Sequence, residues 1–102
     1  MNISEVVLKK CQQECQQLLS EHLGVLAVVI ASGDGFDIAS ATTQSLVPAR
    51  IAAMASSISA IGTVVSQEVA LSNSKSVTVN TEKGFTYITH IQLDGKACIL
   101  NV

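Results

Sequence analysis

The stretch that most constrains this chain runs from Leu46 to Leu71, LVPARIAAMASSISAIGTVVSQEVAL. It predicts one helix, in which Pro48 occupies a first-turn position where a missing N–H costs nothing. Between Ile38 and Gln67 the only charged residue is Arg50, so this helix lacks a solvated, charged side. A helix without a polar face is buried on two sides. A single copy of so short a chain has little material to cover the second side, and the pattern therefore predicts a partner.

The predicted helix carries two opposite stripes. The stripe expected to cover a sheet recurs at helical spacing and comprises Ile51, Met54, Ala55, Ile58, Ile61, Gly62, Val65 and Val69. The other side is small and mostly apolar, with Ala49, Ala53, Ser56, Ala60 and Val64. We expect the first stripe to pack within the chain and the second to meet the partner.

Length, charge and cysteine content limit the class of protein. The 102 residues predict a single domain spanning residues 1–102, with a formal charge of −2 and no basic cluster beyond two adjacent lysines. Nucleic-acid binding needs clustered Lys and Arg, so that class is set aside. Three cysteines cannot all pair within one chain, and no signal peptide is predicted, so reduced thiols in the cytoplasm are the simpler interpretation. The proline, the arginine and the serines of the long helix disfavour membrane insertion.

The rest of the chain divides into short elements. A first helix is predicted over residues 2–23, opened by the capping-box-like pair Asn2 and Glu5. Residues 25–32, VLAVVIAS, are apolar almost throughout and predict a central strand buried on both faces. Further strands are predicted over residues 36–41, 76–80, 85–93 and 96–102.

Two glycine turns set the pairing of these strands. Gly33-Asp34-Gly35 predicts a hairpin between the first two strands. The two-residue loop Asp94-Gly95 predicts a second hairpin, in which Leu93 pairs with Lys96 and Ile91 with Cys98. The order α-β-β-α-β-β-β, with short strand-to-strand connections, predicts an antiparallel sheet in an α/β (α+β) fold.

This order of elements resembles the roadblock/dynein light-chain family, which has a longin-like and profilin-like fold. The resemblance spans essentially the whole chain and is carried by three segments: GVLAVVIASGDGFDIAS, ARIAAMASSISAIGTVV and VTVNTEKGFTYITHIQLDGKACILNV. It implies a five-stranded sheet in the order 2-1-5-4-3, with one helix on each face. It also implies a homodimer in which the third strand, residues 76–80, pairs with its copy while the two long helices lie side by side.

The same resemblance implies a function without catalysis. Members of the family are dimeric platforms for small Ras-like GTPases or dynein-associated light chains, and bacterial single-domain members resemble regulators of the polarity GTPase of gliding motility. The expected partners are therefore a second copy and a GTPase, with no cofactor and no metal. The interface residues implied by the helix and the edge strand are Ala49, Arg50, Ala53, Ser56, Ser57, Ala60, Val64, Val77 and Val79.

Four features of the sequence are candidate sites of chemistry. Cys11, Cys15 and His22 share a helical face, but the first and last lie roughly 16 Å apart at ~1.5 Å rise per residue, too far to share a metal ion. The SGDGFD segment is followed by a strand rather than a helix, so a hairpin is favoured over a phosphate loop. His90 has no carboxylate at a fixed offset, which favours a structural or interfacial role over that of a base.

The fourth feature is Arg50, the only arginine of the chain. The helix dipole disfavours a cation in the first turn, so a compensating carboxylate on a neighbour or a partner is expected. An arginine finger that completes a GTPase active site is the sharper alternative. A different class of function, a small-ligand sensor with a pocket between sheet and helices, stays open as the second hypothesis.

Overall fold

The computed structural model describes residues 3–43 and 45–102. Two helices and five strands follow one another in the predicted order: α1 (Glu5–Glu21), β1 (Ala27–Ser32), β2 (Asp37–Thr42), α2 (Pro48–Glu68), β3 (Ser76–Thr81), β4 (Gly84–Leu93) and β5 (Lys96–Asn101). Most observed ends differ by one to three residues from the predicted ones. The long helix ends at Glu68, because Ala70 and Ser72 adopt positive φ angles of 61° and 71° that no helix continues.

The five strands form one antiparallel sheet in the order β2-β1-β5-β4-β3, as predicted. The β4–β5 register is also confirmed, with Leu93 opposite Lys96 and Ile91 opposite Cys98. Asp94 and Gly95 both have positive φ angles, 53° and 75°, as a tight two-residue loop requires. A two-residue loop thus fixes which side chains of both strands face each helix.

The sheet separates two cores. On one face the thiols of Cys11 and Cys15 from α1 pack with Val28, Ile30 and Cys98 of the sheet. On the other face Ala52 and Ala55 of α2 pack with Val29, Ala31, Ile88 and Ile99. Strand β1 contributes to both cores and is buried along almost its whole length, as its continuous apolar sequence predicted.

Helix α1 begins one turn later than predicted. Its N-cap is Ser4, whose hydroxyl accepts a hydrogen bond from the backbone N–H of Val7 at 3.3 Å. The predicted capping box rested on Asn2, which lies outside the described residues. The backbone N–H of Ser4 also donates to the carboxylate of Asp94 at 3.0 Å, so the start of α1 is tied to the β4–β5 turn.

The two edges of the sheet differ in whether their outward backbone groups have hydrogen-bond partners. At the β2 edge the side-chain amide of Gln12 donates to the carbonyl of Ser40 at 2.6 Å and accepts from its N–H at 3.1 Å. Helix α1 therefore satisfies the outward backbone groups of β2 at that residue. Strand β3 is paired with β4 on one side, and no strand pairs with its outer side in the described ranges. An open edge strand is a place where another chain can add.

Candidate docking surface on the long helix

Helix α2 lies across the sheet from β1 and β2 toward β3. Near its start, the Cα of Ala53 approaches the turn after β1 so closely that a Cβ on Gly35 would stand 3.4 Å away. Nearly two turns later Ser59 contacts His90 of β4, and Gly62 then lies against Val77 of β3. A Cβ on Gly62 would come within 2.9 Å of Val77 Cγ2, so the helix crosses the edge strand at its closest possible distance.

The stripe that covers the sheet matches the predicted one in part, since Ala55 is buried and Ile51 and Ile58 pack against the core. The residues of α2 that are buried are the small ones Ala52, Ala55 and Ser59. Met54, Ile61 and Val65 were predicted to cover the sheet, but their side chains are 56%, 62% and 56% exposed. Because alanine and serine allow a closer approach than isoleucine or methionine, the helix is rotated so that its small residues lie on the sheet. The exposed surface of α2 is therefore more apolar than the sequence alone indicated.

Hydroxyl groups on one flank of α2 contact the β1–β2 turn and strand β4. Ser56 Oγ donates to the carbonyl of Gly33 at 2.9 Å, and Ser59 Oγ contacts Nε2 of His90. A cavity of about 350 Å³ lies beside these groups, lined also by Ala60, Thr63 and Ala97. Sequence reasoning missed the pairing of Ser59 with His90, since the two residues are 31 positions apart and only the fold brings them together.

A serine and a histidine in contact are two members of a catalytic triad. No Asp or Glu hydrogen bond to His90 is present in residues 3–43 and 45–102, and Ser59 is 6% exposed in the middle of a helix. A buried hydroxyl needs a hydrogen-bond partner, and His90 supplies it. This pair therefore serves to hold α2 on β4.

The opposite flank of α2 borders a larger groove of about 580 Å³. We call it the α2–β4 groove. Its apolar walls are Ile51, Met54 and Ile58 of the helix, Phe85 and Ile88 of β4, and residues 24–27 before and within β1. Lys83, in the β3–β4 turn, is the one charged residue among those that line it. In the part of the chain that is described, the ion pair present is Lys10–Glu14, so Lys83 has no carboxylate partner there.

The structure places the predicted interface residues as follows. On α2, Ala49, Arg50, Ala53, Ser57, Ala60 and Val64 are exposed, whereas Ser56 is half-buried and its hydroxyl is used within the chain. On β3, Val77 is half-buried beneath Gly62, and Val79 is 37% exposed. A single copy thus leaves the outward side of the helix uncovered, and the assignment of these residues to an interface stays a prediction.

Arg50 is exposed in the first turn of α2, a helix that has no acidic residue in that turn. Within the described ranges, no carboxylate forms an ion pair with it. Compensation by a neighbouring carboxylate of the same chain is therefore not seen, and a carboxylate of a partner is the remaining prediction.

The three cysteine side chains are buried in the core. Burial raises the pKa of Cys15 to about 11, with smaller contributions from Cys11 and nearby carboxylates, and burial also raises the pKa of Cys98. The thiols of Cys15 and Cys98 are therefore neutral at physiological pH. With Cys11 they pack as small core residues. The described residues contain no cluster of three or more His, Cys, Asp or Glu side chains that could hold a metal ion.

The Gly33–Gly35 segment is a hairpin turn, as predicted, and Gly35 has a φ angle of 91°. The hydroxyl of Ser32 donates to the carboxylate of Asp34 and accepts from the backbone N–H of Phe36 at 3.0 Å. The first of these bonds lowers the pKa of Asp34. The acidic side chain thus stabilises the turn that supports Ala53 and Ser56.

By length and composition, α2 is the one helix in the described residues that could cross a bilayer. Its mean hydropathy over the best window is 1.3, and 17% of that window is buried inside the structure. The helix nevertheless packs on the sheet through Ala52 and Ala55 and is bonded to it by Ser56 and Ser59.

The fold and the exposed helix define a small α/β domain whose main surface feature is an apolar helix with one side on the sheet. The Roadblock/LC7 domain family matches residues 11–101, so the chain belongs to that family. No curated protein matches the sequence.

Solved structures of the same fold include two MglB proteins. The chain resembles MglB of Myxococcus xanthus with a TM-score of 0.75 and 15% identity, covering 99% of this chain and 74% of that one. For the gliding protein MglB of Thermus thermophilus the TM-score is 0.76 with 12% identity, over 97% and 73% of the two chains. A Roadblock/LC7 domain from Streptomyces avermitilis gives 0.72 with 14% identity, over 89% and 76%. At these identities the likeness establishes the fold.

Proposed function

We propose that this protein is a non-catalytic, cytoplasmic homodimeric scaffold that binds a small Ras-like GTPase and biases its nucleotide state. The observation that carries the proposal is the outward surface of α2. It exposes Ile61 and Val64, both at 62%, beside the small residues Ala53 and Ala60. An exposed apolar surface of this kind marks an interaction site.

Membership of the Roadblock/LC7 family and the structural likeness to MglB support a GTPase as the client. The burial of all three cysteine side chains as core residues is consistent with a reducing compartment. Small side chains at Ala53, Ser57 and Ala60 leave a shallow surface on which the backbone of a client can come close to the helix.

The test is capture of a client by the purified chain from a lysate of its source cells, read for a Ras-like GTPase and followed by measurement of GDP release. Ala53→Glu and Ala60→Glu place a charge on the outward surface and should abolish capture, since a buried unpaired carboxylate costs several kcal/mol. Glu14→Gln, on the opposite face of the sheet, is the matched control and should leave capture unchanged. Equal capture by all four proteins would refute this use of α2.

A second candidate function is the binding of a small apolar ligand, and it is favoured by the α2–β4 groove. A volume of about 580 Å³ lies within the usual range for ligand sites. The test is a thermal shift of the native chain with a metabolite mixture. A shift that Met54→Glu abolishes would favour the sensor.

A further inference from the structure

We propose that the side chain of Gln12 blocks the addition of a further strand at β2, so that copies of this chain join through one edge of the sheet only. The inference rests on the homodimer proposed above and goes beyond it, since it states why assembly stops at two copies and does not continue into a filament. The partner that is excluded at β2 is a strand of another copy of the same chain.

The first observation is the geometry of Gln12 at the β2 edge. Its Nε2 donates to the carbonyl of Ser40 at 2.6 Å, and its Oε1 accepts from the backbone N–H of Ser40 at 3.1 Å. A side-chain amide offers a donor and an acceptor side by side, as the backbone of a neighbouring strand does. Helix α1 is fixed on the sheet through the buried Cys11 and Cys15, so the amide stays in the place that a strand of another copy would need.

The second observation is a β-bulge in β2. Ile30 pairs with Ala39, whereas the next residue of β1 pairs with Asp37. Ile38 is therefore an extra residue on the edge strand, and such a bulge bends the strand and interrupts the ladder that a new strand would have to follow. Asp37 itself is exposed, and a charge on an edge strand disfavours pairing. The β2 edge is thus irregular just before the point where the amide covers it.

The third observation is that β3, at the other edge of the sheet, has neither feature. All of its residues, Ser76–Thr81, pair with β4 in unbroken register, and none of them is charged. In the described ranges no side chain forms a hydrogen bond with the backbone of residues 77–80. The two edges therefore differ in their capacity to accept a strand, and β2 is the closed one.

Closure of one edge determines the size of the assembly. When two copies join at equivalent edges, each copy uses its open edge, and the two β2 strands form the outer ends of the joined sheet. Copies that were open at both edges would add to one another without limit and give a filament. Besides Asp37, β2 carries only small or β-branched side chains, so little else in this strand opposes pairing. Gln12 therefore supplies the limit.

The test compares the masses of Gln12→Ala and the native chain by sedimentation velocity over a range of concentrations. Gln12→Ala should form species larger than the native assembly, with a weight-average mass at least about twofold higher at about 100 μM, because the β2 edge is then open. Gln13→Ala, at the exposed neighbouring position, is the matched control and should keep the native mass at every concentration. Circular dichroism checks that both variants retain their helices.

A second variant separates exposure of the edge from loss of stability. Gln12→Glu has nearly the same shape, but it loses the donor to the carbonyl of Ser40 and places a carboxylate at the strand edge. It should unfold at a lower urea concentration than the native chain, as Gln12→Ala does, since a hydrogen bond is lost. Its mass should nevertheless stay native, because a charge at a strand edge disfavours pairing.

Amide hydrogen exchange locates the contact in the assemblies. The backbone N–H of Ser40 should exchange slowly in the native chain, where Gln12 accepts its hydrogen bond, and rapidly in dilute Gln12→Ala. In the larger Gln12→Ala species it should become slow again, because an added strand then accepts that bond. Exchange that stays rapid there would place the contact elsewhere and overturn the proposal.

Three further results would overturn the proposal. The first is a folded Gln12→Ala that keeps the native mass at all concentrations. The second is Gln12→Glu or Gln13→Ala that assembles as far as Gln12→Ala, since assembly would then follow from instability or from any change on α1. The third is a native chain that itself forms filaments. A native chain that is monomeric while Gln12→Ala assembles would refute the homodimer proposed above and leave the closure of β2 intact.

Discussion

At the scale of single residues, contacts between side chains and backbone that are distant in the sequence determine how the β2 edge of this sheet is covered. Gln12 is the clearest case, because its amide makes two hydrogen bonds to the backbone of Ser40 across 28 positions of sequence. A polar residue on a surface helix is usually free to change. Here it replaces the hydrogen bonds that a further strand would have made with β2.

Gln12→Ala should lower the free energy of unfolding by about 1–2 kcal/mol, because it leaves the N–H and the carbonyl of Ser40 without protein partners. Urea denaturation followed by circular dichroism measures the change. Gln13→Ala, at an exposed neighbouring position, is the control and should change stability by less than about 0.5 kcal/mol. Equal effects of the two substitutions would show that the Gln12 amide does not protect the strand edge.

Cys15 gives the fold a predictable response to alkali. Burial raises its pKa from 9.0 to about 11, so the folded state holds the thiol proton more tightly than the unfolded state does. The resulting stability is fully present below pH 9 and is lost as the pH rises through about 11. The melting temperature of the native chain should therefore fall more steeply between pH 9 and 11 than the melting temperature of Cys15→Ala does. Parallel curves would contradict the assignment.

At the scale of elements, the sequence predicts what local chemistry determines. The Asp94-Gly95 loop fixed the β4–β5 register, and the apolar run in β1 predicted a strand buried on both faces; both are confirmed. The strand order followed from the family resemblance. The sheet-facing stripe of α2 was predicted only in part: Ala55 is buried and Ile51 and Ile58 pack on the sheet, as predicted. Met54, Ile61, Val65 and Val69 were predicted to lie there but are exposed.

The physical reason is that packing distance outweighs hydrophobicity in this layer. Ala52 and Ala55 allow the helix to approach β1 and β5 closely, and Ser59 finds a hydrogen-bond partner in His90. Ala52, Ala55 and Ser59 do recur at helical spacing, but as small or polar residues they count for little in a pattern of large apolar side chains. The groove beside α2 depends on which residues of the helix lie on the sheet, so it could not be predicted, whereas the edge position of β3 was implied by the family resemblance.

The close approach of α2 to β3 at Gly62 can be tested by substitution. An alanine in mid-helix normally stabilises by about 1 kcal/mol relative to glycine. At this position its Cβ would come within 2.9 Å of Val77 Cγ2, and a valine cannot easily rotate away. Gly62→Ala should therefore destabilise the native chain but stabilise a Val77→Ala background, with a coupling of at least about 1 kcal/mol in a double-mutant cycle. A stabilising effect in both backgrounds would refute the close contact.

At the scale of the whole molecule, α2 divides the surface into two assigned regions. The outward side with Ala53 and Ala60 is assigned to a client, and the open outer edge of β3 is where a second copy is expected to add. Both partners can therefore bind at the same time, and a change in the position of α2 on the sheet would alter the contacts with each of them. The hydroxyl contacts of Ser56 and Ser59 hold that position.

The separation of the two regions predicts independent loss of the two activities. Ala53→Glu should give a dimer that captures no GTPase, because the charge lies on the outward surface alone. Native gel filtration combined with the capture assay measures both properties on the same sample. A variant that loses dimer and client together would show that the two regions are one surface.

A single copy of this chain leaves the outward side of α2 uncovered, so a second copy is expected to bind. Multi-angle light scattering of the native chain over a range of concentrations tests it most directly. Twice the chain mass of 10.7 kDa is expected at micromolar concentration. A native chain that remains at 10.7 kDa up to about 100 μM would contradict it.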